Sequence, residues 1–537
     1  MERGGRIHLV GIGGIGMSAI AKVLLEEGYR VSGSDLKLSP ITDALARSGA
    51  AIYEGHAAYN VGDAQLVVVS SAIQADNVEV AEAERRGIPV VKRDWVLEWM
   101  TRGRYTIAVA GSHGKTTITA MIALILTEAG LDPTFIVGGI LENLGTNAKA
   151  GRGEHFVIEA DEYDRIFLGF KPNIAVVTNI EMDHPDCYPR LDDMVKAFQE
   201  FVRLVPEDGC VVGCGDEERT RGVLGELKGD HRSKVVTYGL GGGVDWQGVD
   251  IRSNELGGND FVALHDGRAV GGFSLQIPGI HNVANALAAL AVADHLGGID
   301  LARVRKTLQR FQGVKRRFEV KGEISGVTVV DDYAHHPTQI RTALATARER
   351  YPNRTIWAVF QPHTYSRTKA LLNDFAASFA DADHVVVSDI YAAREFDDLG
   401  VSAADIVARM DHADARYIAD LDDVVAYLLP RLGPGDVLIT LGAGDGYRVG
   451  EGILAGLKER DATEAWEMES KNYEWYIETD TSEYAGQWIA ILNQRIVASG
   501  DDAKKVYEEA KAKSQPGDEV SIAKVPPHGL MILEALF

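Results

Sequence analysis

The sequence predicts an α/β protein with three consecutive Rossmann-like or P-loop α/β domains and a small α+β domain at the C-terminus. Three observations support this class. Short apolar runs alternate with helix-forming segments through three successive blocks of the chain. The first two blocks each open with a strand that runs into a glycine loop. After Arg460 the composition changes, and acidic and aromatic residues become frequent.

The first block, residues 1–104, has a glycine loop after its first strand. Its predicted strands include Arg6–Val10, Arg30–Ser32 and Leu66–Ser70. The glycines of Gly11–Gly16 let a diphosphate approach the N-terminus of the next helix, and Asp35, which ends the next strand, can accept a ribose hydroxyl. The pattern predicts a nucleoside diphosphate site. A nicotinamide cofactor, or glycines that serve packing alone, are the alternatives.

The second block, residues 105–312, is built on the strand that precedes Gly111-Ser-His-Gly-Lys-Thr-Thr117. Backbone N–H groups of such a loop hold phosphate oxygens, Lys115 can reach the β and γ phosphates, and the Thr116 hydroxyl can ligate Mg²⁺. The loop is shorter than the common pattern, because Val109 stands where that pattern has glycine. A nucleotide triphosphate site is predicted, with a purely structural glycine turn as the alternative.

Two acidic clusters follow this loop. Phe156–Asp164 and Ala175–His184 each place carboxylate or imidazole groups at the end of a predicted strand. In one sheet with the phosphate loop, Glu159 and His184 could converge on the Mg²⁺ held by Thr116. Solvated loops are the alternative for each cluster. A glycine-rich, strand-like excursion is predicted from about residue 241 to residue 278.

The third block, residues 313–460, has predicted strands that end at polar residues, where open parallel sheets bind ligands. These strands are Val327–Val330, Ile356–Phe360, His384–Ser388 and Val437–Leu441. The last stretch, residues 461–537, is predicted to follow a polar linker as an independent module. It has a hairpin around Asn493-Gln494, a helix to Lys513 capped by Asp501, and a strand at Glu519–Val525. It shows no catalytic constellation, so docking or regulation is expected.

Net charge, apolar runs and cysteine count argue against several classes of protein. The net charge of −23 over 537 residues disfavours nucleic acid as the main partner. No apolar run approaches the length of a membrane span, and the N-terminus leads directly into a strand, so no membrane association is expected. Three cysteines indicate a reducing compartment. We therefore expect a cytoplasmic protein.

Nine ordered motifs between residue 5 and about residue 458 resemble the Mur ligases of peptidoglycan synthesis. They are GIGGIGM, GSHGKTT, EADEYD, NIEMDHPD, HNVAN, GVKRRFE, DDYAHHP, FQPHTYSRT and GAGD. The resemblance implies a three-domain ligase, monomeric or weakly dimeric, that uses ATP and Mg²⁺. The alanine-adding branch, which joins L-alanine to UDP-N-acetylmuramate through an acyl phosphate, is the most similar. The alternative within the family is the recycling branch, which attaches a whole peptide.

The resemblance also implies a role for particular residues. The UDP-sugar site would be Gly13, Gly14, Ile15, Gly16, Asp35, His56, Ser70 and Ser71. The ATP site would be Gly111, Ser112, His113, Gly114, Lys115, Thr116, Thr117, Asn282, Asn285, Arg317, Tyr333 and His335. The metal ligands would be Thr116, Glu159 and His184, and the amino-acid site His363 and Arg367. The catalytic set would be Lys115, Glu159, His184, Arg317 and Arg367.

Several alternatives stay open at the level of sequence. Arg316 and Arg317 could form a surface basic pair, and His335-His336 could simply shape a turn before Pro337. A nicotinamide oxidoreductase would use the first glycine loop and leave the second unused. A nucleotide-gated binding protein would use the second without making a product.

Overall fold

The computed structural model describes residues 4–70, 73–74, 76–230, 232–393, 395, 398–515 and 518–527. The chain divides into two compact units. The first comprises the residues up to Lys321 with Val329–Val424 and Asp436–Gly450, and the second comprises Gly322–Thr328, Val425–Gly435 and the residues from Glu451 onward. No helix within the described ranges is both long and apolar enough to cross a membrane. The four predicted domain ranges stay predictions.

The first sheet has helices on both faces. Its elements are β1 Arg6–Val10, α1 Ile15–Glu26, β2 Arg30–Asp35, α2 Pro40–Arg47, β3 Ala51–Glu54, a 3₁₀ helix Ala58–Val61, β4 Leu66–Val69, α3 Val78–Arg85, β5 Val90–Lys92 and α4 Arg93–Thr101. The five strands are parallel, in the order β3-β2-β1-β4-β5. The order reverses between β1 and β4, and ligands of such sheets bind beyond the carboxyl ends of the strands at that point. The predicted glycine loop, which follows β1, lies there.

The second sheet carries the phosphate loop near its centre. Its elements are β6 Tyr105–Ala110, α5 Lys115–Glu128, β7 Thr134–Leu141, β8 Thr146–Lys149, β9 His155–Glu159, a 3₁₀ helix Tyr163–Gly169, β10 Ile174–Val177, α6 Leu191–Val202, β11 Cys210–Cys214, α7 Glu218–Asp230, β12 Lys234–Gly239, β13 Trp246–Ser253, β14 Asn259–His265, β15 Arg268–Ser274, α8 His281–Leu296 and α9 Leu301–Arg310. The order is β15-β14-β13-β12-β11-β10-β6-β9-β7-β8. Because β6 lies between β10 and β9 and is parallel to both, the phosphate loop and both acidic clusters meet at one edge of the sheet. The predicted glycine-rich excursion forms β13, β14 and β15, which pair antiparallel.

The third set of strands and helices matches the predicted strands. Its elements are β16 Glu319–Ile324, β17 Val327–Asp332, α10 Pro337–Arg350, β18 Thr355–Phe360, α11 Tyr365–Ala370, α12 Leu372–Ala376, β19 His384–Val387, α13 Ala404–Val407, β20 Ala415–Tyr417, α14 Leu421–Leu428 and β21 Asp436–Leu441. Strands β21, β18, β19 and β20 lie side by side in that order and are parallel. The α/β class predicted from the sequence is confirmed.

The C-terminal stretch forms a small three-stranded antiparallel sheet. Its elements are α15 Tyr447–Glu478, a 3₁₀ helix Ser482–Tyr484, β22 Trp488–Leu492, β23 Ile496–Gly500, α16 Ala503–Lys513 and β24 Val520–Lys524. The strand order is β23-β22-β24. Asn493 and Gln494 both have positive φ, as a tight hairpin turn requires, so the predicted hairpin is confirmed. One side of the sheet packs on Tyr476 of α15 and the other on Val506 of α16.

Two details of this stretch were predicted wrongly. The polar linker expected near residue 461 is helical, because α15 continues through it without a break to Glu478. The cap of α16 is Asp502 rather than Asp501, since the Asp502 carboxylate accepts hydrogen bonds from the N–H groups of Lys504 and Lys505. A helix N-cap has to lie immediately before the first helical residue, and sequence alone does not choose between two adjacent aspartates.

Candidate active site

The phosphate loop, Gly111–Thr117, is held in place by the two residues that follow β10. Thr178 donates a hydrogen bond from its hydroxyl to the carbonyl oxygen of His113 (2.6 Å), and the Asn179 side-chain oxygen accepts one from the His113 N–H (2.8 Å). Gly111 has a φ of 135°, and a Cβ there would collide with the Thr178 hydroxyl. Glycine is therefore required at this turn. The hydrogen bonds from Thr178 and to Asn179 hold the loop backbone in place.

Lys115 lies in the first turn of α5 and forms an ion pair with Glu162. Its Nζ donates to both carboxylate oxygens of Glu162 (2.8 and 2.7 Å) and to the carbonyl oxygen of Gly111 (2.5 Å). The Glu162 side chain is fully buried. Burial on its own would lower the pKa of Lys115, but the negative charges of Glu162 and Asp161 raise it. A fixed positive charge thus lies beside the loop.

The predicted metal ligands line one cavity, and two further groups join them. Thr116 donates its hydroxyl to Glu159 Oε1 (3.1 Å). His184 Nε2 lies 3.9 Å from Glu162 Oε1. Asp161, Glu162 and His184 offer ligand atoms that lie within 4.8 Å of one another. His184 Nδ1 is buried and has no hydrogen-bond partner within the described part of the chain. Carboxylates and a hydroxyl fit a hard divalent cation such as Mg²⁺, and the imidazole is a less usual addition.

Two adjoining cavities are lined by residues from the regions of all three α/β sheets. One of about 290 Å³ is lined by residues that include Ile15, Gly16, Lys115, Thr116, Glu159, His184, Arg317, Tyr333 and His335. A second, of about 230 Å³, is lined by residues that include His113, Gly114, Thr116, Thr117, Asn282, Asn285 and Arg317. Thr116 and Arg317 line both cavities. The glycine loop after β1 and the phosphate loop therefore open into one connected space.

The two asparagines of the second cavity are fixed by each other and by the backbone before α8. Asn282 donates from its amide to the carbonyl oxygen of Pro278 (2.7 Å), and Asn285 donates to the side-chain oxygen of Asn282 (2.9 Å). Both side chains are buried. Fixed amides in a cavity can recognise the polar edge of a base, which is consistent with their predicted role.

The adjacent arginines Arg316 and Arg317 have different environments. Arg316 donates from Nε to the carboxylate of Asp331 (2.9 Å) and from its terminal nitrogens to the carbonyl oxygens of Gly442 and Gly444. Arg317 instead donates to the Thr116 hydroxyl (3.2 Å) in the phosphate loop. Only Arg317 lies in the cavities, so the two residues do not form a surface basic pair.

The adjacent histidines His335 and His336 also have different environments. His335 lines the larger cavity, and its Nδ1 lies 2.9 Å from the carbonyl oxygen of Tyr333. Burial, helped by the positive charge of Arg367, holds the pKa of His335 well below its usual value, so this imidazole is neutral. His336 caps α10, since its Nδ1 accepts a hydrogen bond from the N–H of Thr338 (3.3 Å).

Arg367, predicted to bind the amino acid, is buried and has two protein partners. Its Nε donates to Asp183 Oδ1 (2.8 Å), and a terminal nitrogen lies 3.1 Å from His363 Nδ1. Burial would raise the pKa of Asp183, but Arg367, first among the opposing groups, and the neighbouring histidines together hold that pKa well below its usual value. Arg367 thus lies beside His363 and is bonded to a carboxylate that belongs to the protein.

The glycine loop after β1 is closed by Asp35. The Asp35 carboxylate accepts a hydrogen bond from the Gly13 N–H (2.8 Å), so it fixes the loop directly. Ser70 follows β4, at the point where the strand order of the first sheet reverses. Ser71, also predicted for this site, lies outside the described residues.

His56, the remaining residue of the predicted UDP-sugar site, is held by a buried carboxylate. Its Nδ1 lies 3.2 Å from Glu79 Oε2 and 3.0 Å from the Ser34 hydroxyl. Glu79 is fully buried, and it also accepts hydrogen bonds from Ser34 (2.6 Å) and the Asn60 amide (2.6 Å). Burial would raise the pKa of Glu79, but His8, whose Nε2 lies 3.6 Å from Oε2, and the hydrogen bonds from Ser34 and Asn60 lower it to about 2.

Comparison with known proteins identifies the family. The description "Mur ligase family, catalytic domain" matches residues 6–105, "Mur ligase middle domain" matches residues 109–293, and "Mur ligase, glutamate ligase domain" matches residues 316–444. Together these ranges cover more than half of the chain. The chain belongs to the Mur ligase family. Residues 480–528 match a further family of unknown function, DUF5678.

Similar Mur ligases are known from several bacteria. The UDP-N-acetylmuramate–L-alanine ligase of Caldanaerobacter subterraneus is 47% identical over 457 residues, which cover 84% of this chain and 98% of that protein. The enzyme of the same name from Geobacter sulfurreducens is 46% identical over 458 residues, with the same coverage. Among solved structures, a Thermotoga maritima UDP-N-acetylmuramate–alanine ligase matches with a TM-score of 0.72, 30% identity and coverage of 85% and 99%. A murein peptide ligase from Psychrobacter arcticus matches at 0.67 and 26%, with coverage of 84% and 99%.

Four residues near this Mur ligase site were missed in the sequence. Glu162 and Asp161 stand in the EADEYD motif, from which only Glu159 was chosen. Glu79 has no motif around it. Arg93 begins α4, and its guanidinium lies beside Gly16 and donates to Asp161 (3.1 Å). A basic residue at the start of a helix does not by itself indicate that it contacts Gly16 and Asp161.

Proposed function

We propose that this Mur ligase joins L-alanine to the carboxylate of UDP-N-acetylmuramate in the cytoplasm, with conversion of ATP to ADP and phosphate. The observation that carries the proposal is the alignment with relatives of that name along 98% of their length at 46–47% identity. The cavities support it, because they join a glycine loop suited to a diphosphate with a phosphate loop suited to ATP.

The reaction proceeds in two steps. A carboxylate oxygen of the sugar bonds to the γ-phosphorus of ATP, the bond to ADP breaks, and an acyl phosphate forms. The neutral amine of L-alanine then attacks the acyl carbon, loses a proton, and phosphate leaves with the electrons of the carbon–oxygen bond. Lys115 and Arg317 offset the negative charge that accumulates, and closure around the cavity excludes water.

We infer that Mg²⁺ is held by Thr116, Glu159 and His184, with Asp161 and Glu162 beside them. When bound, the ion adds positive charge near the phosphate oxygens. The fully buried Glu162 supports this inference, because a second cation near its carboxylate would share the role of Lys115.

Changing His184 to alanine is expected to raise the Mg²⁺ concentration needed for half-maximal activity, because one ligand is lost. The measurement is activity against Mg²⁺ concentration at saturating substrates. His295→Ala, outside both cavities at the end of α8, is the matched control and should not change the curve. An unchanged Mg²⁺ curve for His184→Ala would remove this residue from the metal set.

Changing Arg367 to alanine is expected mainly to raise the Michaelis constant for L-alanine, since a guanidinium can hold a small carboxylate with two hydrogen bonds. Steady-state kinetics with each substrate varied in turn would measure this. Because Arg367 is bonded to Asp183, the variant also tests a second role. Equal weakening of L-alanine and the UDP-sugar would show that Arg367 acts through closure.

A chain that ends after Arg460 is expected to keep its ligase activity. The retained part of α15 has its apolar residues Val449, Ile453 and Leu457 buried, and Arg460 still bonds to carbonyl oxygens of Leu429 and Leu432. The cut removes the whole C-terminal sheet together with Tyr476, which covers one of its sides. Turnover and the melting temperature of both forms would be compared. A folded but inactive short form would show that this sheet completes the enzyme.

Substrate choice within the family tests the proposal. The protein would be incubated with ATP, Mg²⁺ and UDP-N-acetylmuramate, and with either L-alanine or a peptide that begins with L-alanine. Mass spectrometry is expected to show the L-alanyl product and much less peptide product. Peptide product alone would favour the recycling branch of the family.

A further inference from the structure

The loop that follows β10, residues 179–184, contacts the phosphate loop on one side and α10 on the other. We call it the coupling loop. Towards the phosphate loop, the Ser112 hydroxyl donates to the carbonyl oxygen of Glu181 (3.1 Å) and accepts from the Glu181 N–H (2.9 Å). Towards α10, the carbonyl oxygen of Met182 lies 3.1 Å from His336 Nε2. One short segment thus connects two elements that belong to different sheets.

The Glu181 carboxylate is the centre of this connection. Its Oε2 accepts a hydrogen bond from the Thr338 hydroxyl (2.6 Å) and lies 3.1 Å from His113 Nε2. The other nitrogen of His113 is 2.9 Å from the Gln339 amide nitrogen. Since Gln339 donates there, His113 carries its proton on Nε2 and donates it to Glu181. Burial would raise the pKa of Glu181, but these partners, His113 first, lower it to about 2.

A metal site is the competing explanation for His113, Glu181 and His336, whose ligand atoms lie close together. Each ring nitrogen, however, already has a protein partner. His113 faces Glu181 and Gln339, and His336 faces the Met182 carbonyl and the Thr338 N–H. The group is therefore satisfied as a hydrogen-bond network without an ion.

We propose that Glu181 is a positioning residue that couples the phosphate loop to the first turn of α10. The loop conformation that holds ATP would then favour the placement of Tyr333 and His335, just before α10, over the same cavity. This inference deepens the proposed function and rests on it. It adds a residue that touches neither the substrates nor the metal ligands in the proposed arrangement.

The first test is kinetic. Glu181→Ala and Thr338→Val are each expected to lower kcat about tenfold or more, as for loss of a hydrogen bond to a charged group. The affinity for UDP-N-acetylmuramate should stay within about twofold, because the glycine loop after β1 is untouched. Glu181→Gln keeps an acceptor oxygen and should recover most of the activity. Glu84→Ala, an exposed glutamate on α3, is the matched control.

The double variant distinguishes a coupled effect of Glu181 and Thr338 on kcat from two independent effects. If Glu181 and Thr338 act through one another, Glu181→Ala/Thr338→Val should be no slower than the slower single variant. Losses in kcat that multiply would overturn the proposal, provided the melting temperatures stay close to that of the unchanged protein.

The second test does not need amide formation. Hydrogen exchange of the amides in the first turn of α10 would be measured with and without a non-hydrolysable ATP analogue and Mg²⁺. The analogue is expected to slow this exchange in the unchanged protein and in Glu84→Ala, and to slow it much less in Glu181→Ala, where only direct contact with Thr338 and Gln339 in the smaller cavity remains. Equal protection in Glu181→Ala would overturn the coupling. If the unchanged protein made no amide with L-alanine, the proposed function would fail while this test still decided the coupling.

Discussion

Changing Lys115 to alanine is expected to lower kcat about a hundredfold or more, as is typical when a fixed charge that stabilises a transition state is removed. The Lys115 ammonium lies beside the glycines of the phosphate loop and is held by two bonds to Glu162. Turnover at saturating ATP, Mg²⁺ and both other substrates would measure the effect. Activity near that of the unchanged protein in a folded variant would show that this loop is not the ATP site.

The same change also leaves the Glu162 carboxylate buried without its cation. Removing one partner of a buried ion pair costs about 3–5 kcal/mol of stability, so inactivity could arise from unfolding. The double variant Lys115→Ala/Glu162→Gln separates the two effects. Its melting temperature is expected to recover towards that of the unchanged protein, because the orphaned charge is gone, while kcat stays low. Recovery of both would mean that Lys115 supports only the fold.

Arg316 and Arg317 provide the second large effect and its own control. Arg317→Ala is expected to lower kcat/KM for ATP about ten- to hundredfold, since a charged hydrogen-bond donor beside Thr116 is lost. Arg316→Ala is expected to act on stability, because it leaves the buried Asp331 carboxylate unpaired at a cost of about 3 kcal/mol or more. Kinetics and thermal unfolding of both variants would measure the difference.

The opposite pattern would contradict this assignment. If Arg316→Ala lost activity at unchanged stability, and Arg317→Ala lost stability alone, the roles of the two neighbours would be exchanged. If both variants lost activity equally while folded, the whole turn before β16 would act as one unit.

The sequence predicted those features whose pattern is contained in a short stretch of the chain. A strand followed by a glycine loop and a helix lies within about twenty residues, and its geometry follows from glycine conformations such as the φ of 135° at Gly111. The hairpin at Asn493-Gln494 and the strands of the three α/β sheets are local in the same sense. Their prediction therefore needed no knowledge of how distant parts of the chain meet.

The choice among neighbouring carboxylates needed the backbone path. Glu159 and Glu162 are three residues apart in one motif, and the structure pairs Lys115 with Glu162. The turn that directs this segment has left-handed backbone at Asp164 and Arg165 (φ 53° and 56°), which non-glycine residues rarely adopt. Aspartate adopts this conformation more readily than most residues, but the motif alone does not show that the backbone turns at Asp164.

Pairs from distant segments were also beyond the sequence. Arg367 bonds to Asp183, 184 positions earlier, and Glu181 bonds to Thr338, 157 positions later. Considered alone, each of these residues is of a type that is common on a solvent-exposed surface. Only the arrangement of the second and third sheets brings them together.

The central claim is tested most directly by release of phosphate from ATP. The protein would be incubated with ATP and Mg²⁺, with UDP-N-acetylmuramate and L-alanine present together, separately or not at all. The account predicts sustained release only when both are present, because the acyl phosphate forms on one substrate and is discharged by the other. Equal release with neither substrate present, or sustained release with a tripeptide but not with L-alanine, would contradict it.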